Sequence, residues 1–240
     1  MKKCFFCILF CGFIFATIMG SASCEQESKK IFFSGYTWYV KEGFFGPDAN
    51  WWAPSNVWVD EQGSLHLKIK KEGDYWSCAE VSSVEPFLYG TFRFSVVGPL
   101  DKFDPNCVLG LFLYPQMNDE RVENELDIEI SKWGGDKTLI GYTVVPEKRT
   151  VLFPLRLDGT YTTHEFSWSS KQVNFASFHG HTIDNRNNCA SWLYIPRDGV
   201  KTTIQPPTYV HMNFWLLGGN PLTLHGEAEI IIRSFQYLKI

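Results

Sequence analysis

From Ile31 to the end of the chain, apolar residues recur at every second position in short runs, and no helical period develops. Ser64-Leu65-His66-Leu67-Lys68-Ile69-Lys70 is the cleanest run, with Leu65, Leu67 and Ile69 on one face. Further strands are expected at 88–97, bounded by Pro86 and Gly98-Pro99, and at 138–145, 162–168, 172–178, 190–195, 208–217 and 227–239. Residues 107–114 are nearly all apolar and predict a strand buried on both faces. Ser169-Ser170-Lys171 predicts a hairpin. Many short strands without a repeat or linker predict one all-β domain over 31–240, an antiparallel β-sandwich of jelly-roll type. A chain of 240 residues is long enough to bury a full two-layer core.

Residues 1–23 stand apart from that domain. Lys2 and Lys3 precede an apolar run from Cys4 to Met19, followed by Gly20-Ser21-Ala22-Ser23. This is the pattern of an export signal, and the run is shorter than the ~20 residues needed to span a bilayer. Two processing routes fit: cleavage after Ser23 to a free secreted or periplasmic form, or lipidation of Cys24 as a surface lipoprotein. A lipid on Cys24 is the one membrane attachment expected. Residues 24–30 read as a short tether.

Without the leader the chain has 20 basic and 26 acidic residues, a net charge of −6. That balance argues against a nucleic-acid partner. Cys78, Cys107 and Cys189 allow at most one disulfide among them and show no metal-ligand spacing. His164, His179, His181, His211 and His225 have no ligand partner at a recognisable spacing and read as partly exposed strand or loop residues. No metal site or cofactor is expected, and the chain is expected to be a monomer.

The chemistry concentrates in Glu125-Leu126-Asp127-Ile128-Glu129-Ile130, reached through a polar loop from Pro115 to Asn124. Period-two alternation turns Leu126, Ile128 and Ile130 into the core and lines up Glu125, Asp127 and Glu129 on the other face. Like charges in a row oppose one another's ionisation, so a purely structural sheet gains nothing from them. Residues i and i+4 on a strand are about 13 Å apart at Cα. Each Glu side chain leans along the strand by roughly 4 Å. The two carboxyls can thus close to about 5 Å, near the ~5–5.5 Å of a retaining glycosidase pair rather than the ~6.5–9.5 Å of an inverting one. Asp127 between them can hydrogen-bond one carboxyl, and its charge helps hold a neighbouring Glu protonated. Two other readings fit the same pattern: a solvated edge strand, and a Ca²⁺ site, although one regular strand does not wrap a cation.

Glu125-Leu126-Asp127-Ile128-Glu129 resembles the E-[IL]-D-[IFY]-E signature of glycoside hydrolase family 16, in the unbulged form of licheninases and xyloglucan or chitin transglycosylases. The resemblance extends in order along the chain. Trp52-Ala53-Pro54-Ser55-Asn56-Val57 with Gly63-Ser64-Leu65-His66-Leu67 is similar to W-R-A-S-N-V…G-K-L-x-L. Cys78-Ala79-Glu80 and Tyr89-Gly90-Thr91-Phe92 are similar to C-A-E-Y-R-T…Y-G-Y-G-x-Y-E. Tyr161 to Trp168 resembles H-T-Y-x-F-x-W, and Met212-Asn213-Phe214-Trp215 resembles M-N-L-W. The resemblance implies a concanavalin-like jelly roll with an open cleft, Glu125 as nucleophile, Asp127 as helper and Glu129 as acid/base. It implies a polysaccharide substrate, with Glu80, Asn213 and Trp215 as binding residues. Trp133 falls near one end of the cleft or packs structurally, and Trp215 has a core reading beside the cleft one.

Several positions depart from the family pattern. Ser82 stands where an Arg is expected, Glu123 where a Trp is, and Gly141 and Thr143 where an Asn and a Tyr are. Mixed-linkage glucan specificity is therefore not carried over. Asn50 stands opposite Cys78 in place of a disulfide partner, and Gln236 in place of an Asp that helps bind structural calcium, so neither feature is predicted. Three functions follow: an exported retaining endo-glycosidase on a β-linked, β-glucan-like polysaccharide, a transglycosylase with the same chemistry, or a non-catalytic carbohydrate-binding surface lipoprotein.

Overall fold

The computed structural model describes residues 28–115, 124–197, 206–224 and 226–240. The leader, Cys24, Glu123, His225 and most of the loop before Glu125 lie outside the described residues. The domain opens with β1 (Lys30–Phe33), β2 (Tyr36–Val40), β3 (Gly43–Phe45), β4 (Asn50–Trp52) and β5 (Val57–Val59). Next come β6 (Leu65–Glu72), β7 (Tyr75–Ser83), β8 (Gly90–Val97), β9 (Cys107–Tyr114), β10 (Leu126–Ser131) and β11 (Leu139–Val144). The chain continues through β12 (Arg149–Pro154), β13 (Tyr161–Trp168), β14 (Val173–His179), β15 (Asn188–Tyr194), β16 (Tyr209–Leu216) and β17 (Glu227–Lys239). Lys30 is already in β1, and Lys29 donates to the Pro54 and Val57 carbonyls, so the end of the expected tether is bonded into the domain.

The strands form two layers. One sheet runs β1–β2–β7–β16–β9–β10–β11–β12. The other runs β6–β17–β8–β13–β14–β15, with β5 and the β3–β4 hairpin at its β6 side. β7 joins the two: Tyr75–Ser77 pair with β6, whereas Ala79–Ser83 pair with β16 and β2. That change of sheet destroys a simple alternation, which is why β7 does not stand out in the sequence. The other unexpected long strand, β12, is an edge strand with half-buried and exposed positions only.

Between the layers, Leu65, Leu67 and Ile69 of β6 and Phe92, Phe94 and Val96 of β8 face Leu109, Leu111 and Leu113 of β9 and Leu126, Ile128 and Ile130 of β10; all are fully buried. Aromatic rings fill this space edge to face or offset, as in Phe92–Phe166 at 5.1 Å and Trp38–Phe235 at 5.4 Å. His164 corrects the expectation of a partly exposed histidine. It is fully buried, bonded to Ser177 Oγ at 2.8 Å and Thr162 Oγ1 at 2.9 Å, and burial pulls its pKa down to about 3. It is a neutral member of a satisfied core network.

Candidate active site

β10 is hydrogen-bonded on both sides, to β9 and to β11, and is not an edge strand. This overturns the solvated-edge reading of its acids. Asp127 lies opposite Phe112 and Thr143, and Glu129 opposite Gly110 and Gly141. Glu125 sits one residue before the strand, and its carbonyl accepts from Val145 N at 3.2 Å. Although all three point away from the core, Asp127 is buried and both Glu residues are half-buried. They lie in a recess, with three carboxylates removed from most of their water.

Burial dominates their ionisation. It pushes Glu129 up to about 7, and together with the Glu129 charge it pushes Glu125 up to about 7. Asp127, the deepest, is raised well above the usual carboxylate range by burial and by the charges of Glu129 and Glu125. Asp127 is flanked by a Glu on both sides, and each Glu has Asp127 on one side only. The three titrate as a unit. Carboxyls raised in this way can hold or release a proton near neutral pH, which acid/base chemistry needs.

The row extends across the sheet. Glu80 of β7 pairs with Asn213 of β16, Asn213 with Gly110 of β9, and Gly110 with Glu129. A Cβ on Gly110 would collide with Asn213 Oδ1, so glycine there gives the amide its space. Asn213 Oδ1 and Asp127 Oδ1 are both buried without a partner among the described residues. Orphaned buried polar atoms of this kind are uncommon and suit a hydroxyl-bearing ligand. Glu80 is buried, with Lys41 Nζ donating to its Oε2 at 2.8 Å and His211 Nδ1 donating to its Oε1 at 3.2 Å. Burial raises its pKa, but His211 and Lys41 outweigh that and leave it lowered. Glu80 is thus a fixed anion.

Of the expected binding residues, Glu80 and Asn213 belong to this recess. Trp215 shares Asn213's side of β16 by alternation but is 5% exposed and packed into the core cluster. Trp133 sits in a left-handed turn past β10 and packs against the same cluster, which matches its packing role. Asn50 Oδ1 accepts from Cys78 Sγ at 3.3 Å, and Gln236 Oε1 accepts from Arg93 at 3.4 Å, so each substituted position has its own bond.

His211, Phe112, Tyr114 and Lys41 escaped sequence reasoning. His211 stacks on Phe112 at 4.9 Å and 21°, and Tyr114 feels the Glu125 charge. The signal for His211 was present: two residues before Asn213 on one strand, it must share Asn213's side. Phe112 and Tyr114 were hidden because an unbroken apolar run shows no difference between its two faces. Lys41 lies just past β2, and nothing in the sequence pairs it with Glu80.

No protein-family model matches the chain, and no curated protein matches it by sequence. Its architecture is the antiparallel jelly-roll sandwich that bacterial β-glucanases have. Bacillus licheniformis β-glucanase matches with a TM-score of 0.65 and 17% identity, over 90% of this chain and 100% of its own. A lichenase from a mouse hindgut metagenome gives 0.64 and 15%, over 87% and 96%. A laminarinase from Flavobacterium sp. UMI-01 gives 0.65 and 14%, over 84% and 93%. At these identities the likeness is one of fold.

Proposed function

We propose that this protein is an exported, retaining endo-glycosidase of glycoside hydrolase family 16 that hydrolyses a β-linked, glucan-like polysaccharide. The observation that carries the reading is the buried row Glu125, Asp127 and Glu129, in which burial raises all three carboxyls, Glu125 and Glu129 to about 7. Burying three acids side by side destabilises a fold, and glycoside cleavage is a use that repays it. The match in fold to structures described as glucanases and a laminarinase supports the substrate class. Leader-like residues 1–23 support export.

In the first step Glu125 attacks the anomeric carbon, forming a glycosyl ester as the bond to the leaving oxygen breaks. Glu129 gives that oxygen its proton. Water then attacks the same carbon, Glu129 takes its proton, and Glu125 leaves with its electron pair, restoring the original configuration. Asp127, between the two, is the helper that the family resemblance assigns to it. Glu80 and Asn213 accept from substrate hydroxyls beside the reacting sugar.

A reducing-end assay on mixed-linkage glucan, laminarin, xyloglucan, chitin, agarose and carrageenan tests this, with Glu125→Gln as control. Cleavage that Glu125→Gln abolishes is expected. No cleavage of any polymer, or full activity in Glu125→Gln, would sink the reading or the role assignment respectively. Products formed with added oligosaccharide distinguish water from a sugar as acceptor.

A further inference from the structure

The β3–β4 hairpin carries a second feature, on the outside of the recess. Phe44, Trp51 and Tyr75 are exposed by 50%, 46% and 46%. They form a continuous run of rings, with centroids 5.1 Å apart for Phe44–Trp51 and 5.5 Å for Trp51–Tyr75, and planes tilted by 50° and 46°. Together with exposed Lys71 and Asp74 they line a pocket of about 530 Å³. Trp51 and Trp52 are neighbours on one strand and point to opposite sides. Trp52 is buried under the Lys41 ammonium, 4.2 Å from its ring centroid, and Trp51 faces water. Apolar rings clustered at a surface without a partner mark a binding site more often than a structural one.

Two observations select the occupant. The rings are tilted against one another and form a cup rather than the flat patch of a protein interface. Lys71 and Asp74 line the same pocket as the rings, a mixture that suits a molecule with apolar faces and hydroxylated edges, as a pyranose has. The hairpin is also continuous with the catalytic recess. Lys41 Nζ donates both to Glu80 and, at 2.8 Å, to the Gly46 carbonyl in the hairpin's turn. In the same turn Asp48 Oδ2 accepts from Gly218 N at 2.6 Å, in the loop that follows β16. One side of the hairpin therefore abuts Glu80's ion pair while the other presents the rings.

We propose that Phe44, Trp51 and Tyr75 form a platform that binds a stretch of the polysaccharide chain outside the catalytic recess. The proposal rests on the glycosidase reading for the identity of the polymer. A chain held there is kept close to the acids between cleavage events, and a long polymer gains contacts that a short oligosaccharide lacks.

Affinity electrophoresis of the full chain in gels containing each polymer of the panel tests the platform. Glu125→Gln is compared with the same protein carrying Trp51→Ala and Tyr75→Ala, and wild type is assayed for cleavage in parallel. Retention by the polymer should fall about tenfold, the loss usual when anchoring Trp and Tyr side chains are truncated. Thermal unfolding and binding of a trisaccharide should stay unchanged. Equal retention of the two proteins overturns the platform and leaves the cleft chemistry standing. Retention of wild type without cleavage, lost on truncating the rings, overturns the glycosidase reading and supports the platform. Neither cleavage nor retention on any polymer overturns both.

Discussion

Replacing Glu129 by Gln should make the protein more stable, and only at neutral to alkaline pH. Burial raises the Glu129 pKa from 4.5 to about 7. The folded state therefore holds a proton that the unfolded state has released between those values. Stability is fully present below pH 4.5 and is lost as pH rises through 7, the sign for a raised carboxylate. At 1.4 kcal/mol per pH unit the loss is about 3 kcal/mol. Because the row titrates together, the protons are not independent, and about 2–3 kcal/mol is the working range. Removing the Glu129 charge also relieves Glu125 and Asp127, both of which it pushes up. For a chain of this size that corresponds to about 4–10 °C in Tm.

The measurement is thermal unfolding of wild type and Glu129→Gln at pH 5 and pH 8. Any constant cost of the amide, such as a poorly placed N–H, cancels in the difference between the two pH values. The variant should gain about 4–10 °C at pH 8 relative to its gain or loss at pH 5. Acids on an open surface would give about 0.5 kcal/mol or less, screened further by salt. A difference independent of pH, or one favouring wild type at pH 8, would refute the buried row. The same variant should be inactive, so that stability and activity move in opposite directions at one residue.

Three further outcomes follow from the same geometry. The pH profile of cleavage should peak near neutrality, because Glu125 and Glu129 are both pushed up to about 7 and one must be ionised while the other is protonated; a maximum below about pH 5 in kcat/KM would show that burial does not set these groups. Gly110→Ala places a methyl against Asn213 Oδ1 and should lower kcat/KM about tenfold while costing about 1–3 kcal/mol of stability; unchanged kinetics would remove Asn213 from the site. Lys41→Met leaves buried Glu80 with His211 alone and should cost about 2–4 kcal/mol at pH 7. Since Glu80's pKa is lowered in the fold, its share of that loss should shrink as pH falls below the ordinary carboxylate range, which unfolding at pH 3.5 and 7 would reveal.

The jelly roll was legible because one face of most strands is buried and the other is not. β6 and β8 alternate buried and half-exposed residues along almost their whole length, and the sequence shows the same period. β7 was not legible, since its two halves pair in different sheets and no single face is inward throughout. In the site, spacing alone lined Glu125, Asp127 and Glu129 up on one side of a single extended stretch, while their catalytic reading came from the family resemblance. The Glu80–Lys41–His211 cluster could not: its members come from three separate stretches of chain, and only the pairing of β2, β7 and β16 brings them together.

That cluster bears on how the site tolerates its departures from the family pattern. Ser82 stands where an Arg is expected beside Glu80, yet Glu80 does not lack a cation, because Lys41 reaches it from the neighbouring strand. The charge balance is thus met at a different position in the chain. On the opposite side of the acids, β11 presents smaller groups. Gly141 and Thr143 face Glu129 and Asp127, Thr143 bonds to Thr150, and the next side chain outward is the exposed Leu152. Among the described residues, the charged groups near the acids therefore lie on the β16–β7 side, and the hairpin bearing Phe44 and Trp51 continues outward from that same side. On the proposed reading, a polymer lying across these acids would draw its affinity from one flank and from the surface beyond it.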